Sequence, residues 1–408
     1  MRILFVSDTY FPHINGVYYF VCRIGPLLQQ SGHEVGVVAP SSTTQFTRTT
    51  VDGLDVFGIP SVSIRIYPKI RVPIPFSLKK NLQQIIGEFR PDIIHIQDHF
   101  SICAAVVRMN RTLKIPMIAT NHFMPENLTV LVQGKALKKI FENFLWKGFS
   151  KVFNEVSVVT TPTETGARLI RSRLRSRVMA ISSGISLDEF SPWGNTANTI
   201  KKYGIPKKPV LLYVGRLDPE KHIGEILQAV ASALSHLDFC LLIVGTGISK
   251  TSLEIQSRQL GISDHVIFTG FVPDEDLPFL YRLSHCFIIA SIAELLSLST
   301  LQAMATGLPV IAVNAGALGE MVKDQQNGYL FGQGDIRAIT AAVLDILSNP
   351  DKAVEMGRKS LEFIQSHDIH NTTKQFESLY HSSLRLSPPH EKGVAERQVV
   401  QKTQLGKK

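Results

Sequence analysis

Cysteine is scarce in this chain of 408 residues: Cys22, Cys103, Cys240 and Cys286 lie far apart, with no Cys-x-x-Cys and no histidine at zinc-finger spacing. That excludes a disulfide scaffold and a zinc domain, and leaves reduced, buried thiols in a cytoplasmic protein as the expectation. Charge is also sparse, at 19% of residues against ~25% in an average globular protein. With 44% hydrophobic residues, the chain is not disordered and has ample material for full-sized cores. Gly 28 and Pro 21 are ordinary shares, which removes collagen-like and low-complexity classes. No apolar run approaches the ~18 residues of a membrane span. The opening Met1-Arg-Ile-Leu-Phe-Val-Ser-Asp8 meets an acid too early for a signal peptide and reads as a first buried strand.

What charge there is sums to +9 and is unevenly placed. Residues 64–80, 135–151 and 168–177 carry local charges of +5, +4 and +5, and the tail 391–408 carries +3. Clustering of one sign in the first 180 residues points to an anionic partner for that half. In KALKKIFENFLWKGFSK (135–151), apolar residues recur at three- and four-residue intervals beside lysines. Either an interfacial membrane helix or a core helix with a solvated basic face has this pattern. On the first reading Lys135, Lys138, Lys139, Phe141, Phe144, Trp146 and Lys147 are the membrane-association residues. Nucleic acid is not expected as a partner, because no nucleic-acid motif accompanies the charge.

Apolar strand patterns alternate with helical ones throughout. Strands are read at 2–7, 34–39, 54–59, 93–97, 116–120, 156–161 and 178–182, then at 210–215, 239–244, 265–269, 286–290, 309–313 and 328–331. Near-continuous runs such as Ile3-Leu-Phe-Val6 are those of parallel strands covered on both faces. A Pro, Gly and Asn cluster at 187–208 separates two blocks. The expected fold class is α/β, with two Rossmann-like doubly wound domains and an interdomain cleft. Residues 1–190 form the first domain and 191–368 the second. A helix at 369–386 is expected to return to the first domain, and the basic tail 387–408 to be disordered.

Two segments carry chemistry. Gly215-Arg-Leu-Asp-Pro-Glu-Lys221 follows a strand and opens a helix, so Arg216 and Lys221 flank a turn suited to a diphosphate. Surface pairing of these cations with Asp218 and Glu220 is the competing reading. In residues 290–322, Glu294 ends a strand loop, a helix starts near Ser297, and Gly316 opens a loop capped by Glu320.

The segment 290–322 resembles the retaining nucleotide-sugar glycosyltransferases of family 4, which have the GT-B fold. Their signature is a Glu, seven residues, a second Glu, then Ala-Met-Ala. Gly215–Lys221, the start Arg2–Val17 and Pro91-Asp-Ile-Ile-His95 match the same family, so the resemblance runs over roughly 1–385. It implies that Glu294 contacts donor-sugar hydroxyls and that His122 lies near the donor sugar. It also implies that Gly16 brings its amide to the diphosphate, where glycine tolerates close approach and unusual dihedrals. Ser297 and Leu298 then offer backbone amides, and Val272 meets the nucleobase. One position departs from the pattern: Gln302 stands where the family has the ribose-gripping Glu, which is expected to weaken nucleotide binding by about 1 kcal/mol. His95 reads as a packing histidine.

The sequence Glu294-Leu-Leu-Ser-Leu-Ser-Thr-Leu301, with Asn121-His-Phe-Met-Pro-Glu126 upstream, is most similar to the diacylglycerol glucosyltransferase-like branch. That resemblance implies UDP-glucose as donor, a membrane lipid as acceptor, and a peripheral place on the inner face of the membrane. A soluble or oligosaccharide acceptor, GDP-mannose as donor, or a non-catalytic nucleotide-sugar-binding relic stays open. No cofactor or metal is expected, since no Asp-x-Asp motif is read that would hold a divalent ion on the diphosphate and the cations substitute for it.

Overall fold

The structure, a computed structural model, describes residues 1–13, 15–64, 67–122 and 134–386, without the side chains of 64, 67–70, 135 and 386. Arg65, Lys69 as a side chain, residues 123–126, the Lys135 side chain and the tail 387–408 therefore lie outside the described residues.

Among the described residues, ten strands belong to the first half: β1 Arg2–Val6, β2 Glu34–Pro40, β3 Thr47–Val51, β4 Leu54–Ile59, β5 Ser61–Ile64, β6 Tyr67–Pro73, β7 Ile93–Ile96, β8 Met117–Thr120, β9 Val158–Thr161 and β10 Arg177–Ala180. Eight of them form one sheet in the order β10-β9-β8-β7-β1-β2-β4-β3. All its pairings are parallel except β3 with β4. Continuous Ile/Val/Leu runs bury β1 on both faces, as parallel strands under helices require. The antiparallel additions were not legible: β3 is polar and mostly exposed, and β5 and β6 form a separate hairpin.

The second half contributes β11 Val210–Val214, β12 Cys240–Val244, β13 Val266–Gly270, β14 Cys286–Ile289, β15 Val310–Val313 and β16 Gly328–Phe331, in the order β13-β12-β11-β14-β15-β16 and parallel throughout. One large core fills this half. Two cores cover opposite faces of the first sheet. Helices Pro75–Phe89, Ser101–Leu113 and Lys135–Phe153 share one of these faces.

Helix Ile369–Leu386 packs on the other face beside helix Gly16–Gln30. Its Tyr380 hydroxyl bonds His95 Nδ1 at 2.9 Å, while His95 Nε2 bonds Thr120 Oγ1 at 2.7 Å. His95 is fully buried, and burial holds its imidazole neutral. The segment 187–208 is not all irregular, since Ala197–Tyr203 is helical. In the loop that Gly316 opens, Leu318–Met321 forms a single helical turn.

Candidate active site

Strand order reverses between β1 and β7 in the first sheet and between β11 and β14 in the second. Ligands of such sheets bind outside the carboxyl ends of strands at these switch points. Gly16 follows β1, the Gly215–Lys221 loop follows β11, and Glu294 to Ser297 follow β14, while His122 follows the neighbouring β8. Gly16, His122, Glu294 and Leu298 line one cavity of ≈ 140 Å³ between the two halves, together with Tyr19, Phe20 and Arg23.

Glu294 on the cavity wall is ion-paired to Lys221, which, like Arg216, Val272, Ser297 and Gln302, is not itself part of the lining. Lys221 Nζ donates to Glu294 Oε1 at 2.7 Å and to Ser291 Oγ at 3.2 Å. Their side chains are only 14% and 16% exposed, so the attraction is screened far less than in a surface pair. The Glu294 backbone is clamped as well. Its carbonyl accepts from Ala317 N at 3.0 Å. Gly316, at φ 55°, permits that approach, because a Cβ there would fall 2.7 Å from the same oxygen.

Arg216 does not join this pair. It points outward with 64% exposure and is held by Asp218 and by Glu220, the latter at 2.8 Å. The competing surface pairing thus holds for Arg216 and not for Lys221. Ser297 N-caps helix Leu298–Ala305, its Oγ accepting from Thr300 N at 3.2 Å. Gly16 is not at positive φ, so unusual dihedrals are not why it is glycine. Nothing lies within 4 Å of where its Cβ would be, so a ligand can come close to the backbone there.

Gln302 is buried, and its Oε1 accepts from the Tyr281 hydroxyl at 2.9 Å. One lone pair of the amide is therefore committed, leaving the second and the NH₂ group. Val272 is buried at 5% exposure, so only its backbone is available to a base; neighbouring Phe271 is 71% exposed. His122 Nε2 bonds Gln97 Oε1 at 2.9 Å. Burial lowers its pKa to about 4, so the imidazole is neutral at pH 7. With a carbonyl oxygen as partner, Nε2 carries the proton and Nδ1 is an acceptor. Behind the switch point, Asp98 accepts from Ser7 Oγ at 2.7 Å and from Asp8 N at 3.0 Å. Burial, and then the Asp8 charge, push its pKa up to about 6.

Several contacts among the described residues tie the halves together around the cavity. The Tyr19 hydroxyl donates to Asp274 at 3.3 Å. Thr163 Oγ1 donates to the Leu295 carbonyl at 2.9 Å. Glu320 does not cap its own loop: its carboxylate accepts from Glu164 N at 3.0 Å and from Thr165 N, completing the start of helix Glu164–Arg171, where a negative charge is favourable. Asp274 and Asp276 do form an Asp-x-Asp pair, contrary to the expectation of none. Tyr19 engages the first, and Lys202 and Tyr203 engage the second. Among the described residues no group of three or more His, Cys, Asp or Glu is placed to hold a metal ion.

Tyr19 and Arg23 were missed as well. The spacing 16, 19, 20, 23 marks one helix face and was the available signal.

The basic helix Lys135–Phe153 stands apart from the cavity and is apolar on two faces. Leu145, Trp146, Phe149, Val152 and Phe153 are buried, whereas Leu137, Ile140 and Phe144 are 59%, 65% and 71% exposed. Trp146 is thus corrected from a surface residue to a core one; Arg173 stacks on its ring at 4.1 Å. Phe141 is half-buried, and Lys139 and Lys147 are exposed. Among the described residues no helix is long and apolar enough to cross a membrane.

Two parallel-sheet lobes with a cavity between their switch points make this a protein of the GT-B fold. Solved structures agree: the sucrose-phosphate synthase of Thermosynechococcus elongatus superposes with a TM-score of 0.77 at 18% identity, covering 94% of this chain and 99% of that one. Anabaena HepE in complex with UDP does so with 0.75 at 17%, covering 94% and 100%. The family description "Glycosyltransferase Family 4" matches residues 14–189, and "Glycosyl transferases group 1" matches 195–363. The alpha-monoglucosyldiacylglycerol synthase of Streptococcus pneumoniae is 30% identical over 361 residues, 86% of this chain and 79% of that protein. A GDP-mannose-dependent alpha-mannosyltransferase of Mycolicibacterium smegmatis is 24% identical over 365 residues, covering 88% and 92%. The chain belongs to glycosyltransferase family 4.

Proposed function

We propose that the chain transfers glucose from UDP-glucose to the hydroxyl of a membrane lipid such as diacylglycerol, with retention of anomeric configuration. The observation that carries the transfer chemistry is Glu294, largely buried and paired with Lys221, on the same cavity as Gly16 and His122. In this reading Glu294 orients the donor-sugar hydroxyls, and Nδ1 of neutral His122 accepts from one of them. Negative charge builds on the departing diphosphate. Lys221, Arg216 once exchanged from its two acids, the Gly16 amide and the Leu298 end of its helix meet that charge, and such stabilisation is usually the largest catalytic term. The acceptor hydroxyl approaches on the face the phosphate leaves. Cations take the place of a divalent ion, so turnover should survive chelator.

The lipid acceptor is supported by the likeness to the alpha-monoglucosyldiacylglycerol synthases. The stripe Leu137, Ile140 and Phe144 beside Lys139 and Lys147 supports it too, since an amphipathic face and basic charge are the two weak signals that peripheral attachment needs. The likeness to GDP-mannose-dependent enzymes favours GDP-mannose as the second donor to try. Sugar transfer from labelled UDP-glucose and GDP-mannose to diacylglycerol in anionic vesicles tests the reading. Equal activity on soluble acceptors without lipid would remove the lipid, and no transfer from either donor would remove the enzyme.

A further inference from the structure

The charges around the expected diphosphate position do not favour a dianion. Arg216 and Lys221 are met there by Asp218, Glu220 and Glu294, so the group as a whole is one charge negative. A further cation comes from the opposite lobe. Arg23, on helix Gly16–Gln30, lines the same cavity as Gly16, Glu294 and Leu298. Its guanidinium lies over the Tyr19 ring at 5.1 Å. Tyr19 is one turn nearer the start of the helix, so the side chain runs back toward Gly16. Its Nη1 is buried with no hydrogen-bond partner. A buried donor without a partner costs stability, and because Arg23 also lines the cavity, a small rotation of the guanidinium would give this donor an incoming oxygen as partner. The Tyr19–Asp274 bond holds this helix face against the second lobe.

We propose that Arg23 is a binding residue for the donor diphosphate, a third cation supplied by the first lobe. This rests on the nucleotide-sugar reading above. Arginine suits the role because it stays charged and its planar fork can meet two phosphate oxygens. Glu189 and Tyr281 lie within electrostatic range of Arg23, and no ion pair joins Arg23 to Glu189. The nucleoside end of the donor makes no demand on this group, so its effect should follow the phosphates.

Calorimetric titration of the full chain with UDP, GDP and uridine tests this, comparing wild type with Arg23→Gln and Arg23→Lys. Arg23→Gln should weaken the preferred diphosphate by about tenfold or more, the scale of a lost charge-assisted hydrogen bond. Uridine binding should stay within about twofold, the scale of an interaction not made. Arg23→Lys should recover part of the loss, and the salt dependence of diphosphate binding should flatten in Arg23→Gln. Unchanged diphosphate binding in Arg23→Gln, or an equal loss for uridine, overturns the assignment. Failure of wild type to bind UDP or GDP would instead bring down the nucleotide-sugar reading itself. Arg23→Lys keeps the stacking stem, so it supplies the answer if the glutamine variant does not fold.

Discussion

Tyr281 donates its hydroxyl to Gln302 Oε1 at 2.9 Å, and both side chains are buried. The residue that departs from its family is thus held by a neighbour from helix Leu277–Arg282. A carboxylate at 302 could keep the Tyr281 bond on one oxygen and turn the other to a ribose hydroxyl as a stronger acceptor. Gln302→Glu is therefore expected to lower the donor KM about fivefold with little change in kcat, in line with about 1 kcal/mol of added binding. Steady-state kinetics over donor concentration checks this. Tyr281→Phe should cost about 1 kcal/mol of stability in urea unfolding.

Removing either member of the Lys221–Glu294 pair leaves the other charge alone at low exposure. Glu294→Ala and Lys221→Ala should each reduce kcat by about a hundredfold or more, as for lost charge stabilisation in a preorganised site. The double variant should be little worse than either single one, because the residues act as a unit. Initial rates of sugar transfer by all three decide it.

His122 gives a stability signature in acid. Its pKa is about 4 in the folded chain against a usual 6.5, so below pH 6.5 the unfolded chain takes up a proton that the folded chain refuses. Its contribution is complete above pH 6.5 and is lost as pH falls to about 4. Asp98 acts in the opposite direction: its folded pKa of about 6 exceeds the usual 3.8, so folding gains between pH 6 and 3.8. The comparison with His122→Asn isolates the histidine. Lowering pH from 7.5 to 5 should cost wild type about 2 kcal/mol more than the variant, measured by urea unfolding at both values.

The exposed and buried faces of helix Lys135–Phe153 should separate cleanly. Ile140→Ser with Phe144→Ser should abolish sedimentation with anionic vesicles at low salt and leave the melting temperature nearly unchanged, since both side chains are more than half exposed. Trp146→Ala should instead lower stability by about 3–5 kcal/mol, the usual cost of emptying a buried aromatic site.

Much of this protein was written locally. Continuous apolar runs specify parallel strands because burial on both faces leaves no polar side to alternate. Switch-point loops carry Gly16, Arg216, Lys221 and Glu294 in short motifs because neighbouring residues on one turn must act together. What only the tertiary structure decided are partnerships between distant segments: Gln302 with Tyr281, Glu320 with the start of helix Glu164–Arg171, and Arg23 with the cavity. Trp146 turned inward for the same kind of reason. A helix with two apolar faces is ambiguous along its own length, and the face that is buried is chosen by the sheet and helices packed against it.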